Sequence, residues 1–207
     1  MSRWRAVSGT VGVFILLLAS LTPAGSTTLL PENLAELVDG ADRIFLGRVI
    51  SEWTGRDELG LPATITTFKI MEVLKGNLPE ELPVKQLGVT EVQPDGLATW
   101  VDGMPRYRLG FDYLIFLPAD SSLGFTSPVG LFQGAFTVHQ DSSGIVVATN
   151  GINNANLFLG LGSEELIQLG LTPEAFPFTL QGRGPVPLTE ILGMVQKVRQ
   201  VQGEDSL

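Results

Sequence analysis

The chain of 207 residues contains no cysteine. Disulfide bonds, thiolate metal sites and thiol nucleophiles are therefore excluded. A domain without disulfides must gain its stability from a hydrophobic core, and a hydrophobic content of 44% is enough to form one. With only 17% charged residues, the chain is also too apolar to belong to the disordered class.

Histidine is almost as scarce, since His139 is the only one. Metal sites usually need several converging ligands, and the only other candidate ligands beside His139 would be carboxylates. It is predicted to face solvent on an alternating strand near Asp141. The sequence also lacks a G-x-S-x-G motif and a phosphate-binding loop, and its carboxylate pairs fall in loops or at a helix start. We therefore predict no catalytic residue, no metal site and no cofactor.

The chain has few basic residues, with 13 Lys and Arg against 22 Asp and Glu and a formal net charge of −9. An acidic chain repels phosphate backbones, and no basic cluster is present to override this repulsion. Nucleic acid is therefore not an expected partner.

Residues 1–26 have the layout of a secretory signal peptide. A basic start precedes the apolar run VGVFILLLAS, and the small residues Ala24 and Ser26 suit cleavage before Thr27. The run is short for a membrane span, and no cysteine follows it that could carry a lipid. Two interpretations remain open, a cleaved signal peptide, which we favour, and an uncleaved anchor. Cleavage predicts a secreted or periplasmic protein with no membrane attachment.

A high content of glycine and proline, 24 and 13 residues, favours short strands and turns over a helical bundle. The early segment NLAELVDG predicts one short helix, and hydrophobic alternation predicts five or six strands after it. This order favours a small antiparallel barrel over a parallel α/β sheet. The predicted strands cover 43–53, 63–76, 83–88, part of 106–120, 130–141 and 144–149.

The first two strands show the clearest alternation. Phe45 and Val49 share one face of the first strand, and Phe68 and Ile70 share one face of the second. We predict that the two strands are antiparallel neighbours and that these four side chains lie inside the barrel.

Alternation fails late in the second strand, where the apolar residues Val73 and Leu74 are adjacent. One extra residue near Met71–Glu72 would restore it. We predict a β-bulge there, because bulges let the strands of small barrels turn corners.

The chain changes character after residue 150 and becomes rich in Asn, Gly and Pro. Ser163 is predicted to cap a short helix and Thr189 a final helix, with Ile191, Leu192, Val195 and Val198 on its apolar face. The predicted domains are the signal peptide over 1–26, the barrel over 27–160, and a C-terminal extension with a terminal amphipathic helix over 161–207.

The string GADRIFLGRVISE and, after a loop, TTFKIMEVLKG resemble the opening hairpin of netrin-like modules, which include the tissue inhibitors of metalloproteinases. In that family an Ala-Asp pair begins the first strand, and Lys-Gly or Arg-Gly ends the second. Here these are Ala41-Asp42 and Lys75-Gly76. Tyr113-Leu114-Ile115 is similar to a later strand of the family. The resemblance covers about residues 40–140 and implies a mostly β fold, a five-stranded OB-like barrel.

The resemblance does not extend to the chemistry of the animal inhibitors. Those proteins begin with a cysteine that chelates the zinc of the protease and is pinned by disulfides. This chain has no cysteine, and its predicted mature N-terminus is Thr27-Thr28. The family's zinc-binding residues therefore have no counterpart here.

Aromatic side chains are the remaining candidates for a binding face. OB barrels often bind ligands on one face, so Trp53, Trp100, Tyr107 and Arg108 are the candidate binding residues. The alternative is that Trp53 closes the end of the barrel and the other two aromatic residues cover its core. The segment 89–106 is also of interest, because long loops in small domains are often functional.

The sequence thus predicts an exported, non-enzymatic protein-interaction module. Its unknown partner is expected among extracellular proteins, proteases included. The alternative is a small-ligand or glycan-binding domain that uses the barrel face, and an enzyme is the third hypothesis. An exposed apolar patch would indicate a protein partner, a concave pocket with converging polar groups a ligand, and acids clustered around His139 an enzyme.

Overall fold

The computed structural model describes residues 29–89, 96, 99–180 and 182–203. The predicted signal peptide and part of the segment 89–106 lie outside these residues. In chain order, the elements are helix α1 (Leu34–Gly40), strands β1 (Arg43–Arg56), β2 (Pro62–Lys75), β3 (Glu81–Leu87) and β4 (Asp112–Leu117), a 3-10 turn (Leu131–Gln133), strands β5 (Ala135–Gln140) and β6 (Val146–Asn150), helix α2 (Ser163–Gln168), a second 3-10 turn (Pro177–Leu180), strand β7 (Val186–Pro187) and helix α3 (Leu188–Gln202). The predicted mostly β fold class is confirmed.

The strands form one antiparallel sheet in the order β3-β2-β1-β4-β5-β6-β7. The prediction of a closed, five-stranded barrel is wrong, because the described residues form an open sheet of seven strands. Closure would need the two end strands to pair, and β3 and β7 lie at opposite ends of the order. The edge of β3 instead meets an irregular segment, from which the Thr126 amide donates to the Lys85 carbonyl at 2.9 Å.

The predicted hairpin is confirmed. β1 and β2 are antiparallel neighbours, and Val49 lies opposite Phe68. Phe45, Val49 and Phe68 are buried in one hydrophobic cluster, and Ile70 is partly buried against it. The sheet curls around this cluster without closing.

The predicted β-bulge is confirmed at Met71. Gly47 pairs with Ile70 and Leu46 with Glu72, which leaves Met71 without an opposite residue. Two further shifts of register, at Ile50 and at Leu74, were not predicted. Each shift resets the alternation, and Leu74 is buried as a result.

The sheet carries a hydrophobic core on each face. The helix-side core lies under α1 and α3 and includes Ile44, Leu114 and Phe136. The curl-side core includes Phe45, Phe68, Tyr113 and Ile115. Because β4 lies between β1 and β5 with a core on each side, its residues from Tyr113 to Leu117 are all buried, as expected for the continuous apolar run of a central strand.

The C-terminal region contributes to the same sheet and core. β7 pairs with β6, and α3 buries Ile191, Met194, Val195 and Val198 in the helix-side core, with Leu192 partly buried. This apolar face agrees with the prediction except that Met194 was missed.

The predicted helix caps are wrong by one or two residues. α3 begins at Leu188 after Pro187 and has no side-chain cap, so Thr189 lies inside its first turn. Pro187 is the N-cap residue and also the last residue of β7, and its missing N–H removes no hydrogen bond from the helix. α2 begins at Ser163, and its capping residue is Gly162, whose amide donates to Glu165 at 2.5 Å.

The two dipeptides of the netrin-like resemblance meet at one corner of the sheet. Gly76 has a φ of +86°, and a Cβ placed there would lie 2.7 Å from the Asp42 carbonyl oxygen. Lys75 donates from Nζ to the Val38 carbonyl at 2.9 Å, and Asp42 accepts from the Ala119 amide at 2.6 Å. These residues therefore have structural roles, joining α1, β1, β2 and the segment after β4.

Candidate functional site

A row of side chains crosses the face of β1, β2 and β3 that is opposite to Phe68. Trp53 pairs with Ile65 on β2, and Ile65 pairs with Lys85 on β3. Residues alternate between faces along a strand, so Ile65 and Phe68 point to opposite sides. We call the face that carries Trp53, Ile65 and Lys85 the outer face.

The outer face holds a cleft of about 550 Å³, here called the Trp53 cleft. It is formed by β1, the β1–β2 loop, β2, β3 and the loop that follows β4. Its lining residues are Trp53, Arg56, Asp57, Glu58, Leu59, Ile65, Lys85, Ser122 and Leu123. Segments far apart in the sequence therefore meet at one place.

Asp57 organises the β1–β2 loop. Its Oδ1 accepts hydrogen bonds from the amides of Leu59 and Leu61 at 3.0 and 2.8 Å, as in an Asx turn. Its Oδ2 lies 2.8 Å from Lys85 Nζ. The hydrogen bond from Lys85, aided by these amides, holds the pKa of the Asp57 carboxyl below its usual value.

Lys85 joins both sides of the cleft. Besides its ion pair with Asp57, its Nζ donates to the Leu123 carbonyl at 3.2 Å and lies 4.1 Å from the centre of the Phe125 ring. The ammonium is thus fixed by a carboxylate, a carbonyl and an aromatic face. These contacts hold the loop around Leu123 against the sheet and give the cleft a defined wall.

The four predicted binding residues occupy different environments, and only Trp53 lines this cleft. Tyr107 is buried in the curl-side core, where its ring packs edge-on against Phe68 and Tyr113 at 5.0 and 5.1 Å. Burial raises the pKa of both phenols. Tyr107 therefore packs as a core residue, which is the role that the alternative interpretation gave it.

Trp100 and Arg108 lie outside the Trp53 cleft. Trp100 is half-buried, forms an isolated β-bridge with Gly88, and has the Arg106 guanidinium 4.5 Å above its ring. Arg108 is exposed and lies 5.9 Å from the Phe111 ring. Both side chains are accessible to a partner at least in part.

Smaller clefts lie near Phe132. One of about 470 Å³ is lined by Leu29, Asp102 and Leu131 among others, and one of about 210 Å³ lies between Arg106, Tyr113 and two threonines. Neither combines exposed large apolar side chains with a fixed ion pair. The Trp53 cleft is therefore the better candidate for a site.

His139 is the residue on which the enzyme hypothesis depended. His139 is exposed on β5, opposite Val147. Over the same residues, no group of three or more His, Asp or Glu side chains is arranged to hold a metal ion. The helices within that range include none that is both long and apolar enough to cross a bilayer.

Sequence reasoning missed most of the Trp53 cleft. Leu59 and Leu123 carried a weak signal, since each is a large apolar residue within a Gly-rich polar loop. Lys85 and Asp57 carried none, because nothing in the sequence indicates that β3 lies beside the β1–β2 loop.

Comparisons with known proteins leave the family open. No protein-family model matches the chain, and no curated protein sequence matches it either. The resemblance to netrin-like modules therefore stays a prediction based on the residues quoted above.

Proposed function

We propose that this chain is an exported, non-enzymatic interaction module and that the Trp53 cleft is its partner-binding surface. One observation carries the proposal: Trp53, Leu59 and Leu123 are 47%, 66% and 50% exposed, although they surround a single cleft. Scattered apolar residues are normal on a surface, but a group of them around one concavity is typical of a contact site.

The cleft also has the rigidity that favours binding. The Trp53 ring lies against Gly55, where a Cβ would come within 2.8 Å of the indole. Lys85 and Asp57 fix the two loops that carry the leucines. A surface that is already ordered loses little conformational entropy on association, and tryptophan is one of the residue types that are enriched in binding hot spots.

Export and the class of partner are inferred from the sequence. The basic start and apolar run before Thr27 indicate secretion or a periplasmic location, so the partner is an extracytoplasmic protein. The resemblance at Ala41-Asp42 and Lys75-Gly76 adds proteases to the candidates. Any regulation of a protease would use a surface such as the Trp53 cleft, because the cysteine-based chelation of the animal inhibitors has no counterpart.

Glycan or small-ligand binding is the second candidate, and it uses the same cleft. The exposed Trp53 indole shares the cleft with three charged residues, Arg56, Asp57 and Glu58. A flat aromatic face next to hydrogen-bonding groups also suits a sugar ring. A ligand of this kind would bind saturably and change the fluorescence of Trp53.

Affinity capture with matched variants tests the proposal. The exported chain is immobilised as wild type, as Leu59→Ser/Leu123→Ser and as Leu109→Ser/Leu159→Ser, and is exposed to the extracytoplasmic fraction of its source. Leu109 and Leu159 are similarly exposed but lie outside the cleft. We expect one protein to be retained by the wild type and by the second variant, and lost with the first.

Equal retention by all three proteins would contradict the assignment of the cleft. If no protein is retained but an oligosaccharide array shows binding that the cleft variant loses, the second candidate replaces the first.

A further inference from the structure

Within the part of the chain that the structure describes, one edge of β1 has no strand beside it over the last part of the strand. β4 pairs with β1 only from Arg43 to Arg48. The turn before β4 adds two hydrogen bonds to Val49: the Val49 amide donates to the Phe111 carbonyl, and the Gly110 amide donates to the Val49 carbonyl. From Ser51 to Arg56, β1 is paired with β2, but no other described residue pairs with its second edge. An unpaired edge is a template for another strand.

The shift of register at Ile50 determines which backbone groups this edge offers. Val49 directs its N–H and C=O towards β4. Val49 lies opposite Phe68, Ile50 has no opposite residue, and Ser51 pairs with Thr67. The direction of the backbone N–H and C=O groups alternates from residue to residue along an antiparallel strand. The groups of Ser51 are therefore directed to β2, and those of Glu52, Thr54 and Arg56 are directed to the open edge.

We propose that this edge pairs with the same edge of a second copy of the chain, about a two-fold axis through Thr54. Two antiparallel strands can pair only in registers where both residues of an opposite pair direct their backbone N–H and C=O groups towards the other strand, or both direct them away from it. In the register centred on Thr54, each Glu52 lies opposite Arg56 of the other copy. This pairing brings opposite charges together twice in one interface.

The neighbouring registers lack this complementarity. Centring on Trp53 would place Glu52 opposite Thr54 and leave both charges without a cross-strand partner. Centring on Glu52 would place two carboxylates opposite each other, which is unfavourable. The contacts of Arg56 within its own chain include a hydrogen bond to the Gly60 carbonyl at 3.0 Å, and a guanidinium with five donors can serve several acceptors at once.

The remaining pairs in the register centred on Thr54 are also compatible. Thr54 faces Thr54, a favourable cross-strand pair, and each Trp53, whose ring lies over Gly55 of its own chain, faces Gly55 of the other copy. The two Trp53 side chains become diagonal neighbours on the outer face, within reach of each other. The interface is small, so we expect a weak dimer with a dissociation constant on the order of 100 µM.

Charge exchange tests the proposal. Sedimentation equilibrium is measured on the exported chain as wild type, Glu52→Arg, Arg56→Glu and an equimolar mixture of the two variants, in about 0.15 M salt. Each variant alone places like charges opposite each other twice, and we expect its self-association to weaken roughly tenfold or more. In the mixture, one variant has arginine at positions 52 and 56 and the other has glutamate at both, so both cross-strand pairs of the heterodimer join opposite charges. We expect the heterodimer to form at least as well as the wild-type dimer.

A backbone variant provides an independent test. Thr54→Pro removes the amide that points to the open edge and leaves the pairing of β1 with β2 intact, so it is expected to be folded and monomeric. Thr54→Val keeps the amide and is expected to dimerise. A wild type that stays monomeric at millimolar concentration, or a mixture that fails to restore association, would overturn the proposal, as would a Thr54→Pro variant that dimerises like the wild type.

Discussion

Phe68 occupies the centre of the curl-side core. Its ring packs edge-on against Phe45, Tyr107 and Tyr113 at centroid distances of 5.5, 5.0 and 6.3 Å. The next residue, Lys69, points to the opposite face and is exposed. This adjacency lets neighbouring substitutions report on the two faces of one strand.

We expect Phe68→Ala to lower the free energy of unfolding by about 3–5 kcal/mol, because it removes a buried ring and leaves a cavity. Lys69→Ala is the matched control and should cost less than about 0.5 kcal/mol. Denaturant unfolding of both variants measures the difference. Equal and small losses would mean that the faces of β2 are reversed.

The ion pair between Asp57 and Lys85 makes stability depend on pH in the acid range. Lys85 lowers the pKa of Asp57 in the folded state below its usual value of 3.8. A lowered pKa stabilises the fold above the unfolded-state value, and this contribution disappears as the pH falls through the folded-state pKa. Asp57→Asn should therefore lower the melting temperature at about pH 7 and have a much smaller effect at about pH 2.

Thermal melts of the wild type and Asp57→Asn across this pH range provide the measurement. Asp141→Asn is a suitable control, because Asp141 accepts from the amides of Ser143 and Ile145 in a similar turn and has no lysine partner among the described residues. A gap between wild type and Asp57→Asn that stays constant with pH would show that the ion pair does not contribute.

At the level of secondary-structure elements, the turns at the two ends of β2 place different demands on glycine. Gly60, in the β1–β2 loop, has a φ of +76° and open space around it, whereas Gly76 combines a φ of +86° with the close approach of the Asp42 carbonyl. The first position needs only a left-handed backbone. The second also needs the absence of a side chain.

Alanine substitutions separate the two demands. Gly60→Ala should cost about 1–2 kcal/mol, the usual cost of a left-handed conformation. Gly76→Ala should cost about 1–3 kcal/mol more, since the carbonyl must also move. Chemical denaturation measures both values. A smaller loss at Gly76 would mean that this corner of the sheet adapts easily, and the structural explanation of the Lys75-Gly76 dipeptide would fail.

The elements that could be predicted are those with a local periodic signal. Alternation placed Phe45, Val49 and Phe68 on one face, and its failure beyond Ile70 located the bulge at Met71. β7 has only two residues, too few for any periodicity, and its strand conformation depends on pairing with β6. The sequence did not predict the open sheet for the same reason, because β7, the last strand, has no periodic signal in the sequence.

The Trp53 cleft was hard to predict for a different reason. Its aromatic residue could be named from the sequence, but Lys85 and Leu123 reach it through the curl of the sheet and the return of the loop after β4. Tyr107 is the opposite case, since the sequence made it a binding candidate and the structure buries it in the core. Its neighbour Arg108 is exposed, and only the packing of Phe68 and Tyr113 shows that the phenol itself is buried.

At the scale of the whole molecule, the sheet separates two cores with different tasks. The helix-side core ties α1 and α3 to the middle of the sheet, so the C-terminal region stabilises the strands. The curl-side core packs against one face of β1, β2 and β3, and the Trp53 cleft lies on their outer face. The cleft thus rests on a buried aromatic cluster that holds it in place.

The proposed function requires that the molecule bind its partner through the Trp53 cleft. The most direct test is a calorimetric titration of the captured partner with the wild type, Trp53→Ala and Trp100→Ala, after circular dichroism has shown that all three are folded. The two variants carry the same substitution at the two tryptophans that the sequence marked as binding candidates. We expect Trp53→Ala to weaken binding by about 2 kcal/mol, roughly thirtyfold in the dissociation constant, and Trp100→Ala to leave it nearly unchanged. Loss of affinity with Trp100→Ala and not with Trp53→Ala would contradict the account and move the binding surface to the segment 89–106.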